Sequence, residues 1–253
     1  MQFLNNLFSS VNVFWDQLKC ESLYLAKKDK TMKKLMWNGV LCHSTFEHAL
    51  AYRLASKLAN EEIDRNNINA IALEAFKQSS GIIQYALADI QAVHTRDPAC
   101  CNILQVFFFY KGFLALQAYR IAHYFYSNHR RELAYYIQNR VSELFSVDIH
   151  PGAKLGKGIM LDHAHAIVIG ETSVIGDNVS ILHSVTLGGT GKIKGDRHPK
   201  VGNGVIIGAG AKILGNINID DDACIAAGAV VLTNIPSSAT AVGIPAKILA
   251  KEC

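Results

Sequence analysis

From Ile149 to Val231 an aliphatic residue returns at every sixth position of the chain. The first run is Ile149, Leu155, Leu161 and Ile167, and the second is Ile169, Ile175, Ile181 and Leu187. A third follows at Val201, Ile207, Ile213, Ile219, Ile225 and Val231. Four positions after most of these stand small or β-branched residues: Ala153, Ser173, Val179, Val185, Val205, Ala211, Ala223 and Ala229. A helix repeats at 3.6 residues and a half-buried strand at two, so neither explains a strict six. A parallel β-helix does, because each hexad supplies one short strand and one turn, and stacked coils bury ladders of like residues. Three hexads close a triangular coil of about eighteen residues.

Upstream the spacing is helical. Phe46, Leu50, Leu54 and Leu58 repeat at four, with His48, Arg53 and Lys57 on other faces. The pattern predicts further helices over Ile68 to about Val93, Phe113 to Tyr126, and Arg131 to Phe145, the last leading into the first coil. Pro98 ends a helix and biases Asp97 toward an extended conformation at a chain reversal. Ile82, Ile83, Tyr85, Leu87 and the ring-rich stretch Phe107–Tyr110 offer more apolar surface than one helix can bury. That surplus predicts contact with another subunit.

Composition divides the chain at the same place. Every aromatic residue lies at or before Phe145, and 16 of the 19 glycines lie after it. A narrow aliphatic prism has no room for rings, and its corners favour left-handed dihedrals, for which Gly, Asn178, Asn203 and Asn216 are suited. The expected class is α+β: an all-helical domain over residues 1–144, then a β-helix over 145–253. Net charge is +4, from 16 basic and 12 acidic side chains in residues 1–144 and 9 of each in 145–253. That balance excludes the clustered basic stripe of a nucleic-acid surface. Met1–Ser10 has no basic region, and the most apolar stretch, Ile103–Tyr110, is far shorter than the ~20 residues of a membrane span. Cys20, Cys42, Cys100, Cys101, Cys224 and Cys253 show no CxxC pair or metal-ligand spacing, so a reducing cytoplasm is the expected location.

Polar residues interrupt the beat twice. One interruption pairs Asp148-Ile149-His150-Pro151 with Leu161-Asp162-His163-Ala164-His165. The other is the segment 188–200, which opens Gly188-Gly189-Thr190-Gly191-Lys192 and continues Gly195-Asp196-Arg197-His198-Pro199-Lys200. Loops on a rigid solenoid are natural sites for binding groups, and the glycines let backbone N–H groups approach an oxyanion. The glycine run lacks the full phosphate-loop pattern and a following helix. A near-neutral histidine suits a general base, with a carboxylate holding its other ring nitrogen, and His163 with Asp148 is the candidate pair. A strict coil of eighteen would stack residue 166, not His163, over Asp148. With the two-residue slip at 167–169, His183 falls one coil above His163. Such stacked histidines would bind a metal, share a proton or form a polar ladder.

The words of the sequence carry a resemblance. Asp89–Val93, Thr95–Ala99, Lys111-Gly112-Phe113 and Ala115–Arg120 resemble the helical domain of the serine O-acetyltransferase family. Val147–Pro151, Gly158–Ala164, Ser184–Lys192, Gly195–Lys200 and Ile207–Asn216 are similar to its catalytic domain, so the likeness runs from about residue 40 to 250. It implies a left-handed β-helix of hexapeptide repeats, the exception to right-handed crossovers. It also implies acetyl transfer from acetyl-CoA, a co-substrate and not a resident cofactor, to the hydroxyl of L-serine, the first committed step toward cysteine. His163 would take the hydroxyl proton and Asp148 would orient the ring, with no covalent enzyme intermediate and no metal. Arg197 would hold the serine carboxylate, since its fork suits a carboxylate better than lysine does. Asp97 and Asp162 would hold the ammonium, and His198, offered by a neighbouring chain, would complete the site. CoA would lie between prisms against Gly188, Gly189, Ala209, Gly210 and Ala227, with Lys247 available for phosphate. The family forms trimers or dimers of trimers, and L-cysteine is the expected feedback inhibitor.

Two positions depart from the family pattern. His165-Ala166 stands where Thr-Gly is usual, beside the proposed base. The chain ends Ile248–Cys253, without the terminal isoleucine that anchors relatives in cysteine synthase, so that partner is not expected. Rival assignments are an acetyltransferase for a sugar or another amino acid, which would not need Asp97, Arg197 and His198 together, and a γ-class carbonic anhydrase with zinc on histidines. The latter would use His163, His165 and His183, yet alternate residues of a strand face opposite sides. A purely structural scaffold is the third reading, and it leaves the charged loop unexplained.

Overall fold

The computed structural model describes residues 11–191 and 194–249. The amino-terminal residues Met1–Ser10, Lys192 in the loop and the terminal Cys253 lie outside the described residues. Two compact units divide the chain between Phe109 and Tyr110. The change from helix to strand comes later, after Phe145.

The first unit contains α1 (Val11–Lys28), α2 (Lys33–Met36) with a π turn at Trp37–Leu41, α3 (Phe46–Leu58), α4 (Arg65–Gln78), α5 (Gly81–Arg96) and α6 (Ile103–Phe109). The four-residue beat is the buried stripe of α3, where Phe46, Leu50 and Leu54 are wholly buried. Thr45 and Asp64 cap α3 and α4 by accepting from the N–H of His48 and Asn67. The single helix expected over Ile68 to Val93 is instead two. Ser79 leaves helical geometry (φ −132°, ψ 84°), as expected where serine side chains compete for backbone hydrogen bonds and glycine follows. Asp97 ends α5 in extended geometry (φ −89°, ψ 110°), the consequence of the proline that follows.

The inferred apolar surplus is also corrected. Ile82, Ile83, Leu87, Phe107 and Phe108 are buried within this one chain, and only Tyr85 and Phe109 remain exposed. Phe107 sits 6.1 Å from Phe46, and the Arg53 guanidinium stacks on the Phe108 ring while donating to its carbonyl at 2.6 Å. Burial there lowers the Arg53 pKa from its ordinary value.

The second unit begins with α7 (Lys111–Ser127) and α8 (Arg131–Phe145). α7 is pinned to the first coil by polar side chains as well as by packing. The Tyr119 hydroxyl donates to the Ala153 carbonyl at 2.5 Å, Arg120 to that of Gly156 at 2.8 Å, and His123 Nδ1 to that of Pro151 at 2.7 Å. The buried Tyr119 hydroxyl has its pKa raised by desolvation. α8 stops at Ser146, which turns left-handed (φ 58°) and releases the chain into the solenoid.

Five coils follow. The first holds β1 (Val147–Ile149), β2 (Lys154–Leu155) and β3 (Met160–Leu161), and the second β4 (Ile167–Ile169), β5 (Val174–Ile175) and β6 (Ser180–Ile181). The third holds β7 (Thr186–Gly188), β8 (Lys200–Val201) and β9 (Ile206–Ile207), and the fourth β10 (Lys212–Leu214), β11 (Asn218–Ile219) and β12 (Cys224–Ile225). The last has β13 (Val230–Val231) and β14 (Thr240–Val242), closed by β15 (Lys247–Leu249) running antiparallel to β14. All fourteen residues of the six-residue beat are buried, and so are the eight small residues four positions after them. Each large aliphatic withdrawn from water in this way contributes about 1.5–3 kcal/mol.

Strand register measures each coil. Val168 pairs with Thr186, a step of 18, whereas Val147 pairs with Ile167, a step of 20, and Thr186 with Lys212, a step of 26. The two interruptions in the sequence are therefore two outgrowths at corners. Of the asparagines expected to turn left-handed, only Asn178 does so (φ 61°). Asn203 serves by its side chain, which accepts from the Asp177 N–H at 2.8 Å and donates to Asp221 at 3.2 Å.

Candidate active site

The first outgrowth, residues 162–166, carries His163 at the corner between β3 and β4. His163 (φ 55°), Ala164 (φ 44°) and Ala166 (φ 52°) all occupy the left-handed region, which non-glycine residues enter only where packing over-determines them. Gly112, in the first turn of α7, supplies that packing. A Cβ there would lie 2.2 Å from the Leu161 carbonyl oxygen and 2.9 Å from the Ala164 Cβ. The His163 side chain is 72% exposed, and its Nε2 lies 3.8 Å from Asp162 Oδ2.

His183 sits one coil above, its ring centroid 5.6 Å from that of His163 and its plane tilted by 71°. The buried Nδ1 of His183 has no hydrogen-bond partner among the described residues. The column continues upward: the His183 carbonyl accepts from the Gly210 N–H at 2.9 Å, and the Ala209 carbonyl from that of Gly228 at 2.8 Å. One corner thus stacks His163, His183, Ala209-Gly210 and Ala227-Gly228.

Asp148 is not brought into a hydrogen bond with His163. The slip makes Val168, not residue 166, its partner in the next coil. Its Oδ1 accepts from Gln138 Nε2 at 2.7 Å, a contact from α8 that the six-residue beat could not reveal. Among the described residues, no cluster of three or more His, Cys, Asp or Glu side chains is placed to hold a metal ion.

The second outgrowth, between β7 and β8, leaves the next corner and folds back over the turn below it. Arg197 Nη2 meets Glu171 Oε2 at 2.8 Å, and its Nη1 donates to the Gly195 carbonyl at 3.0 Å. The Arg197 and His198 N–H groups both donate to the Thr172 hydroxyl, at 3.0 and 3.1 Å. Lys200 ties the loop base, donating to Asp196 at 2.5 Å and to the carbonyls of His198 and Thr172. The hydrogen bond from Arg197 holds the Glu171 carboxyl below its ordinary range. Burial, reinforced by the positive Arg197, holds the His198 imidazole below its ordinary value. His198 is buried against Gly170, and a Cβ there would stand 2.1 Å from the ring.

The structure therefore gathers His163, Asp162, Ala209, Gly210 and Ala227 at one corner and Gly188, Gly189, Arg197 and His198 at the next. Between them runs one face of the prism, three residues wide, or roughly 10 Å. Lys247 is exposed in β15, where it pairs with Val242 of β14. Asp97 lies in the first unit, where its carboxylate accepts from the Ala99 N–H at 2.8 Å. Sequence reasoning missed Gly170, Glu171, Thr172 and Gln138. Coil arithmetic held a signal for three of them, since a loop starting at residue 188 lies one 18-residue step above residue 170. Nothing in the beat points to Gln138, which comes from a helix.

Comparison with known proteins covers both units. A family described as "Serine acetyltransferase, N-terminal" matches residues 14–118, and one described as "Bacterial transferase hexapeptide (six repeats)" matches 198–233. A serine acetyltransferase of Salmonella typhimurium is 50% identical over 241 residues, 95% of this chain and 88% of that relative. The soybean serine acetyltransferase complexed with serine superposes with a TM-score of 0.91 at 46% identity, covering 93% of this chain and 97% of that one. A serine acetyltransferase from Brucella abortus strain S19, in complex with coenzyme A, gives 0.92 at 42% identity, covering 94% and 95%.

Proposed function

The chain belongs to the serine acetyltransferase family, and from that premise we propose that it transfers acetyl from acetyl-CoA to the hydroxyl of L-serine. The observation that carries the proposal is the pair of neighbouring corners. One presents an exposed imidazole below a column of small residues that lets a long thin ligand lie close to backbone. The next presents an arginine fork and a histidine on the segment Gly195–Lys200, held down by Glu171 and Thr172. A groove between the prisms of two chains would face the first corner of one toward the second corner of its neighbour. In such a groove the serine carboxylate would meet Arg197 and the hydroxyl His163, with Asp162 beside the ammonium.

His163 would accept the hydroxyl proton as the serine oxygen attacks the thioester carbonyl, forming the C–O bond. The C–S bond then breaks, the CoA sulfur takes the proton, and O-acetyl-L-serine leaves. Acetyl-CoA is consumed as a co-substrate, against Gly188, Gly189, Ala209, Gly210 and Ala227, with Lys247 for phosphate. Asp148 would orient the ring once His163 turns inward from its exposed position, leaving Gln138 as the group that holds the carboxylate ready. The product would supply cysteine synthesis, and L-cysteine would be the natural feedback ligand.

Thiol release from acetyl-CoA, measured over a panel of hydroxyl acceptors, tests the assignment. L-serine should lead homoserine, threonine and sugars by a wide margin. Absence of serine-dependent CoA release overturns the proposal.

A further inference from the structure

The segment Gly170-Glu171-Thr172 lies under the loop and touches it at every functional position. Glu171 takes the Arg197 side chain, Gly170 leaves room for the His198 ring, and Thr172 takes the backbone of both residues. Thr172 also meets the imidazole. Its N–H donates to His198 Nδ1 at 3.2 Å, and its Oγ1 stands 2.9 Å from the same nitrogen.

These contacts determine where the His198 proton resides. A backbone N–H can only donate, so the Nδ1 it faces must be unprotonated. The hydroxyl agrees. Its oxygen already accepts from two backbone N–H groups, which occupies both lone pairs, so it has no capacity to accept from an Nδ1–H. The hydroxyl proton itself has two takers, Nδ1 and the Asp196 carboxylate beside it. The remaining ring proton must then be on Nε2.

We infer that Thr172 is a positioning residue that sets the register of Arg197-His198 and fixes His198 as a neutral Nε2–H donor. As such a donor, His198 can bind a carboxylate or a developing oxyanion but cannot serve as a general base, which leaves proton abstraction to His163. Burial beside Arg197 acts in the same direction, since both disfavour the imidazolium. The inference deepens the serine-site proposal and rests on it for its kinetic arm only.

The test uses two substitutions and one spectrum. Thr172→Ser keeps the hydroxyl, whereas Thr172→Val keeps the shape and removes it. Thr172→Val should raise the serine KM by about tenfold, the scale of one net hydrogen bond lost from the loop's support, and leave the acetyl-CoA KM unchanged. Thr172→Ser should restore the serine KM. In ¹⁵N-histidine-labelled protein, with His198 assigned by its loss in His198→Asn, the wild type should show the neutral Nε2–H tautomer at pH 7. A protonated Nδ1 in the wild type, an unchanged serine KM in Thr172→Val, or failure of Thr172→Ser to restore it would each overturn the inference. The spectrum reads out even if serine proves not to be the substrate, so the two proposals fail separately.

Discussion

Replacing Gly112 with alanine adds one methyl group where α7 passes beneath the corner that carries His163. The new Cβ would stand 2.2 Å from the Leu161 carbonyl oxygen, against an ordinary contact of about 3.5 Å, so helix and corner must part by roughly 1 Å. Both sides of the contact are backbone, and no flexible side chain can yield. Overpacking of this kind costs about 1–3 kcal/mol. For a domain of this size that lowers Tm by roughly 3–10 °C. A 1 Å displacement of the corner should in addition cost about 10²-fold in turnover, because His163 and Ala164 are held in left-handed geometry by that same contact. The matched control is Gly81→Ala, where an added Cβ meets nothing within 4 Å at the start of α5. There alanine should stabilise by about 0.5–1 kcal/mol by restricting the unfolded chain. Calorimetry and acetyl-CoA turnover on both variants decide the matter. If Gly112→Ala keeps wild-type Tm and kcat, the corner is not supported from below by α7.

Other perturbations follow from the same geometry. His163→Ala should lower kcat by roughly 10²–10⁴, the usual contribution of a general base, while serine and CoA still protect the protein thermally. Near-normal turnover would remove His163 from the mechanism. Glu171 has a folded pKa depressed below its ordinary 4.5 by Arg197, so its contribution to stability is complete above about 4.5 and disappears as pH falls through the lower native value. The Tm difference between wild type and Glu171→Gln should therefore shrink below pH 4.5, and a difference that stays constant with pH would show that the ion pair does not hold the loop.

The six-residue beat by itself determined the β-helix, its buried ladder and the places where regularity fails. Burying one aliphatic per short strand is a local rule that leaves a local record, and even the slip that stacks His183 over His163 could be counted from it. The tertiary structure decided what the beat has no means to encode. It broke the long helix at Ser79, buried Phe107 and Phe108 within one chain, and gave Asp148 to Gln138. It set the Arg197-His198 loop down on Gly170-Glu171-Thr172. These outcomes depend on polar side chains meeting across turns and between helix and coil, where hydrogen-bond direction and a few tenths of an ångström of space decide. A hydrophobic period records which residues leave water, not which polar group each corner will find.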